Sequence, residues 1–151
     1  MPRGLHLLGE PLERRANAEW KGGLKDGKGT VSTGSGALRE VPYSFLMRFG
    51  DDPGTNPEEL VAAAHAGCFS MALSGELERA GYRAESIRTK ATLRFEKTDA
   101  GFTVTAIHLD VEAKVPDADP GKFQAAAQAA EKGCPISRLL RTTISMNANL
   151  V

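Results

Sequence analysis

The chain has 151 residues, and its 19 basic and 19 acidic side chains cancel to a formal net charge of zero. That length suits one core, a 41% hydrophobic content argues against disorder, and the charge balance offers no attraction for nucleic acid or an anionic membrane. No apolar run approaches the roughly 20 residues needed to span a bilayer, and Met1 to Arg15 lack the apolar stretch of a signal peptide, so a cytoplasmic location is expected. In such a reducing compartment the two cysteines are not expected to form a permanent structural disulfide, whereas a transient catalytic one is allowed. A pair of buried, inert thiols is the plainer alternative.

Residues 1–15 read as a leader without periodic signal. From Ala16, apolar Ala16, Ala18 and Trp20 alternate with Asn17, Glu19 and Lys21, which predicts a strand. The glycine-rich run from Gly22 to Gly29 turns the chain, and Thr30 to Thr33 form the returning strand. A further strand is expected over Tyr43 to Phe49, ended by Gly50 to Gly54. The strongest helix signal follows. Thr55 or Asn56 can cap it, Pro57 suits its first turn, and Glu58 and Glu59 favour its positive end. It should run to about Ala80 and stop at Gly81, a length of about 36 Å. From Leu60 to Leu73 only His65 and Ser70 are polar. Such a helix must be covered on every side, and a monomer of this size can hardly do so, which predicts a homodimer.

A long hairpin comes next. Ile87, Thr89, Ala91, Leu93 and Phe95 share one face, and Asp99-Ala100-Gly101 make the turn. On the return, Phe102, Val104 and Ala106 fall in one phase and Ile107 to Val115 in the other, so a bulge is expected near Ala106. An alanine-rich helix over 121–132 ends at Gly133, Cys134-Pro135 opens a short second helix, and Ile144 to Leu150 alternate as a last strand. The whole is α+β, with one domain over residues 16–151.

Cys68 lies in the middle of the apolar helix, where burial disfavours the thiolate, the only form that attacks peroxides or disulfides. Cys134 falls at a helix start, where free backbone N–H groups stabilise a thiolate. His65 stands three residues before Cys68, on the same helix face. It can activate the thiol, ligate a metal or be a hydrogen-bonded core residue. A metal is not expected, because only His6, His108 and Cys134 remain as nitrogen or sulfur donors and no ligand spacing is present. Arg48, if it lies near Cys68, would favour the thiolate, and Glu58 could hold that arginine. Both also read as solvated charges. Glu58 and Cys68 are ten residues apart, about 15 Å along a straight helix.

Gly54-Thr55-Asn56-Pro57-Glu58-Glu59-Leu60, Ala62-Ala63-Ala64-His65-Ala66 and Cys68-Phe69-Ser70-Met71-Ala72-Leu73-Ser74 closely resemble the OsmC (osmotically inducible protein C) family. Gly133-Cys134-Pro135-Ile136-Ser137 resembles its second cysteine motif, with the two cysteines 66 positions apart. Tyr43, Phe45, Arg48 and Phe49, and Trp20 with Lys28 to Ser32, resemble its opening segments. The resemblance implies an intertwined homodimer, with two long central helices flanked by antiparallel sheets, that reduces organic hydroperoxides. Cys68 would become a sulfenic acid and Cys134 would condense with it to a disulfide. An external dithiol would restore both, a lipoylated protein being the reductant of the related organic hydroperoxide resistance branch. No bound cofactor is implied. By motif position the arginine and glutamate of the site fall on Arg48 and Glu58. The competing reading is a non-catalytic dimeric stress protein that binds an apolar ligand. A general disulfide reductase is disfavoured by the lack of a C-x-x-C motif.

Overall fold

A computed structural model describes residues 9–151, so the first part of the expected leader, with His6, lies outside the described residues. Two compact units divide between Asn56 and Pro57. In the first, β1 (Ala16–Lys21), β2 (Lys28–Thr33) and β3 (Val41–Tyr43) form an antiparallel sheet in that order. Gly29 of β2 pairs with Trp20 on one side and Tyr43 on the other. The two rings lie over it with centroids 5.4 Å apart. A Cβ at Gly29 would come within 2.6 Å of both rings, so a hydrogen here is what lets the aromatic pair close over the backbone.

The strand expected over Tyr43 to Phe49 is corrected. It stops at Tyr43, and α1 (Phe45–Phe49) follows. Ser44 is the physical reason: its Oγ accepts the Met47 N–H at 3.2 Å and so caps a helical turn. Phe45 and Phe49, one turn apart, stack at 4.8 Å between centroids. The Asn56 side-chain amide donates to the Met47 carbonyl at 3.0 Å and ties the end of the unit to α1.

In the second unit α2 (Pro57–Arg79) leads into β4 (Ser86–Thr98), β5 (Gly101–Lys114), α3 (Pro120–Gly133), α4 (Pro135–Leu139) and β6 (Thr143–Leu150). Gly81 stops α2 as the sequence predicts. It takes φ +90°, and the Tyr82 N–H returns to the Leu77 carbonyl at 2.8 Å. The expected bulge is present: Arg94 pairs with Ala106 and Phe95 with Val104, leaving Thr105 as the extra residue. That slip turns Ile107, Leu109, Val111 and Ala113 inward, all essentially inaccessible to solvent.

The sheet order is β4-β5-β6. β6 runs parallel to β5, with Ala106 opposite Thr143 and Ala113 opposite Leu150. An all-antiparallel sheet is therefore corrected to a mixed one. α3 and α4 carry the chain back along the sheet, so β6 starts opposite Ala106 and runs in the direction of β5.

α2 and α3 cover the inner face of this sheet. Phe69, Leu73 and Leu77 of α2 meet Phe123, Ala126, Ala127 and Ala130 of α3 over the β5 side chains. Ser70 is satisfied locally. Its hydroxyl donates to the Ala66 carbonyl and pairs with Thr89 Oγ1 of β4, both at 2.8 Å. By length and composition alone α2 could cross a bilayer, which corrects the expectation that no run is long and apolar enough. Its packing against β4 and α3 makes it a core helix of this unit. The opposite face, with Ala63, Ala64, Gly67 and Met71, is exposed, Met71 by 79%.

Replacing Leu73, which is fully buried, by alanine leaves a cavity between α2 and the sheet. Urea unfolding should show a loss of about 2–5 kcal/mol. Lys97→Ala, at an exposed position near the end of β4, should stay within about 0.5 kcal/mol of the parent.

Candidate active site

α2 and α4 each contribute a pair of residues three apart, and the two pairs face each other. The spacing places His65 and Cys68 on one face of α2. On the other side, Cys134 precedes α4 and Ser137 lies in its first turn. Cys134 Sγ lies 3.0 Å from Cys68 Sγ, and His65 Nε2 lies 2.7 Å from Ser137 Oγ. Both cysteines are free thiols.

Pro135 creates this arrangement. The residue before a proline is pushed out of the helical region, and Cys134 accordingly takes ψ 121°. Its N–H still donates to the Ala130 carbonyl at 2.8 Å and closes α3. Its carbonyl accepts the Arg138 N–H at 3.0 Å and opens α4. The thiol therefore sits at a joint between two helices, beside backbone N–H groups of α4 that have no partner within the helix.

Access and charge separate the two sulfurs. Cys68 is half-buried and Cys134 is fully buried. Burial pushes the Cys68 thiol up, and the neighbouring Cys134 pushes it further, against an Ile136 N–H that favours its thiolate. Cys134 is also opposed by burial but ends below its ordinary range. The Cys68 thiol, the N–H and hydroxyl of Ser137 and the Ile136 N–H together outweigh desolvation. In the doubly protonated pair the Cys134 S–H is aimed at the Cys68 sulfur. When one proton leaves, the charge settles on Cys134 and Cys68 keeps the remaining proton, donating it back.

His65 is fully buried, and burial lowers its pKa, which keeps the ring neutral. Its hydrogen bond goes to Ser137, and Nδ1 has no hydrogen-bond partner among the described residues. A direct Cys68–His65 pair, one of the readings the spacing allowed, is therefore replaced by a core histidine hydrogen-bonded to Ser137. Sequence reasoning gave Ser137 no role beyond the motif. The available signal was its distance of three residues from Cys134, matching that of His65 from Cys68.

Glu58 is in the first turn of an unbroken α2, about 15 Å along the axis from Cys68. Arg48 is in the last turn of α1, in the first unit. Its guanidinium lies 5.3 Å from the Phe49 ring centroid, a cation–π distance. It borders an open hollow of about 200 Å³ lined by Trp20, Leu24, Tyr43, Phe45 and Phe49. His108 is on the sheet face opposite Ile107 and Leu109, with Nε2 3.1 Å from Asp110 Oδ1. Among the described residues no group of three His, Cys, Asp or Glu side chains is placed to hold a metal ion.

Comparison with known proteins gives a consistent assignment. A family model described as OsmC-like protein matches residues 50–149, which include all four facing residues. Peroxiredoxin OsmC of Escherichia coli (strain K12) is 48% identical over 139 residues, 92% of this chain and 97% of that protein. Organic hydroperoxide resistance protein OhrB of Bacillus subtilis (strain 168) is 34% identical over 98 residues, 64% of this chain and 70% of its own. The crystal structure of the Bacillus subtilis OhrB matches with a TM-score of 0.67 at 25% identity, covering 91% of this chain and 98% of that one. An OsmC-like protein from Mycoplasma pneumoniae shares the fold, with a TM-score of 0.75 at 16% identity, over 94% of this chain and 99% of its own. From the family match across both cysteine motifs and the near-full-length identity to a curated member, this chain belongs to the OsmC-like protein family.

Proposed function

We propose that this chain is a cysteine-based peroxidase that reduces organic hydroperoxides to alcohols. One observation carries the reading: two free thiols lie 3.0 Å apart, the more open one on α2 and the buried one beside the α4 backbone. The printed names of its relatives, a peroxiredoxin and an organic hydroperoxide resistance protein, support it.

The chemistry follows from access and charge. Cys68, the more open sulfur, attacks the terminal oxygen of the hydroperoxide as a thiolate. The O–O bond breaks, the alcohol leaves with a proton, and Cys68 becomes a sulfenic acid. The Cys134 thiolate then attacks the Cys68 sulfur and expels its hydroxyl group, which leaves as water after taking up a proton. Bridging takes a shift of about 1 Å, from the present separation to a disulfide bond length of about 2.05 Å. An external dithiol supplies the two electrons. Its first sulfur attacks the Cys68 side of the disulfide, Cys134 leaves as a thiolate, and its second sulfur closes on the first and frees Cys68. A lipoylated protein fits that role, and the need for a reducing partner places the reaction in the cytoplasm.

Burial raises the Cys68 thiol, so the attack needs a cation. We assign this to Arg48, with Glu58 holding the guanidinium; because α2 is unbroken, the second copy of the chain bridges the roughly 15 Å between Glu58 and Cys68. The aromatic hollow beside Arg48 suits an apolar tail, which favours organic hydroperoxides over hydrogen peroxide. The exposed small-residue face of α2, Ala63, Ala64, Gly67 and Met71, suits a second copy of the chain. Gly67 and its neighbours permit close helix approach, and a dimer would cover the apolar surface that a monomer leaves in water.

The following outcomes are expected. With cumene hydroperoxide and dithiothreitol, Cys68→Ser should abolish turnover, and with the hydroperoxide alone Cys134→Ser should leave a Cys68 sulfenic acid, one oxygen heavier by intact mass. Arg48→Ala should lower kcat/KM by about 10- to 150-fold, the equivalent of losing a charge-assisted hydrogen bond. Wild-type turnover by Cys68→Ser would refute the assignment. The thiolate absorbance of the reduced chain should rise with pH in two steps. The first, from Cys134, should fall below the ordinary thiol range and the second, from Cys68, above it. A single step from two equivalent thiols would contradict the pairing. By light scattering the chain should have the mass of a dimer, and Met71→Arg, which places a charge on the shared face, should yield monomer.

A further inference from the structure

We propose that the His65–Ser137 hydrogen bond clamps α4 to α2 and so keeps Cys134 within reach of Cys68, making both of them positioning residues for disulfide formation. The inference deepens the proposed peroxidase cycle, whose resolving step closes this disulfide, and rests on that reading. Its starting point is a buried polar group that the cycle does not otherwise use. His65 is fully buried in the middle of α2, and Ser137 is 8% exposed. Nε2 and Oγ lie 2.7 Å apart across 72 positions of the chain, and Nδ1 has no hydrogen-bond partner among the described residues. Burying an imidazole with one nitrogen unpaired carries a free-energy cost. Phe69, Leu73 and Leu77, the other buried residues of α2, avoid it by being apolar.

The histidine holds a helix that cannot hold itself. α4 has five residues, far too few for a helix to persist alone in water. Its apolar side chains anchor it poorly: Leu139 is 72% exposed, and Ile136 is only partly buried against the core. Ser137 is the one buried residue within α4. The side chain that α4 buries most deeply is therefore polar, and a directional bond fixes it. The sulfur-to-sulfur contact at 3.0 Å is the weaker link, because a thiol is a poor donor and a poor acceptor. The clamp works with either imidazole tautomer, since a serine hydroxyl can donate or accept.

The two contacts form adjacent rungs. Position 65 meets 137 and position 68 meets 134, so the chain through α4 runs against the direction of α2. On α2 the rungs stand about 4.5 Å apart along the axis. A link so near the sulfurs limits how far Cys134 can drift from Cys68. Ordering α4 in the reduced chain removes that entropy from the closing step and raises the effective concentration of one thiol at the other. Cys134 then captures the Cys68 sulfenic acid before a second hydroperoxide can carry it to the sulfinic acid.

The test first equilibrates the chain with dithiothreitol, without peroxide. The two thiols close to a disulfide as oxidised dithiothreitol is reduced, and intact mass after acid quenching reads the closed fraction. His65→Leu and Ser137→Ala should each lower the equilibrium constant for closure by about tenfold, the worth of one buried hydrogen bond. The double variant should fall no further than either single one, because both remove the same bond. His65→Gln, whose amide can donate or accept about where Nε2 lies, should recover most of the loss. Unchanged equilibria in the single variants, additive falls in the double variant, or no recovery in His65→Gln would overturn the proposal. Should His65→Leu fail to fold, Ser137→Ala against wild type decides. With an excess of cumene hydroperoxide, wild type should lose two hydrogens, whereas Ser137→Ala should accumulate a Cys68 sulfinic acid, two oxygens heavier. A variant that closes as cleanly as wild type counts against the clamp. Failure of the peroxidase reading itself would appear separately, as no change in intact mass when the reduced wild-type chain meets peroxide, while the dithiothreitol equilibria still report on the clamp.

Discussion

The proline at position 135 constrains the site more than any other residue. Its ring bars Cys134 from the helical region, so α3 must end at Gly133 and a new helix must start at Pro135. Both ends of the joint are satisfied through the Cys134 backbone, which closes one helix and opens the next. The buried thiol is thereby placed at a helix start and not within a helix, where its neighbouring N–H groups would be bonded to carbonyls four residues back. The same turn sets where Ser137 points, and it begins the return path that lays β6 parallel to β5.

Charge in this site is handled without a charged side chain in the second unit at the sulfurs. Burial penalises both thiolates, and for Cys134 the penalty is outweighed by backbone amides, a hydroxyl and a second thiol. Fixed dipoles suit a closed site, because they solvate an anion in place of water without adding a buried charge that needs its own partner. The pair then carries one negative charge and one shared proton. The sulfur that best holds the charge is the buried one, whereas the sulfur that best meets a substrate is Cys68. In the proposed cycle, resolution and departure are matched to the first property and initial attack to the second. In that cycle the division gives each cysteine its own task and calls for a cation at Cys68.

α2 serves structure and chemistry with different faces of one cylinder. Phe69, Leu73 and Leu77 follow His65 at four-residue intervals and form the buried stripe. Cys68 lies at the border of that stripe, which leaves it half-covered. Gly67 and Met71 lie on the far side, facing solvent. A shift of one position would bury Cys68 entirely or expose it, so the packing of the stripe determines the accessibility of the thiol.

Much of this was legible in the sequence. Helix α2, its glycine stop, the long hairpin, the Thr105 bulge and the start of α4 all follow from local signals, because each depends on residues within a few positions of one another. The strand expected over Tyr43 to Phe49 became α1 because a single hydroxyl, Ser44, outweighed a short apolar pattern that strand and helix share. The parallel direction of β6 was not legible, since it depends on where two intervening helices deliver the chain. The motifs marked Cys68 and Cys134 as partners across 66 positions, and the lone apolar helix pointed to a missing neighbour. By itself the sequence determined the elements, the two thiols and the proline that sets one of them at a helix start. Only the tertiary structure decided that the sulfurs meet at 3.0 Å, that Cys134 is the buried one, and that His65 reaches Ser137 and not Cys68. Those outcomes depend on how α4 packs against α2, and contacts between segments so far apart in the chain have no local signature.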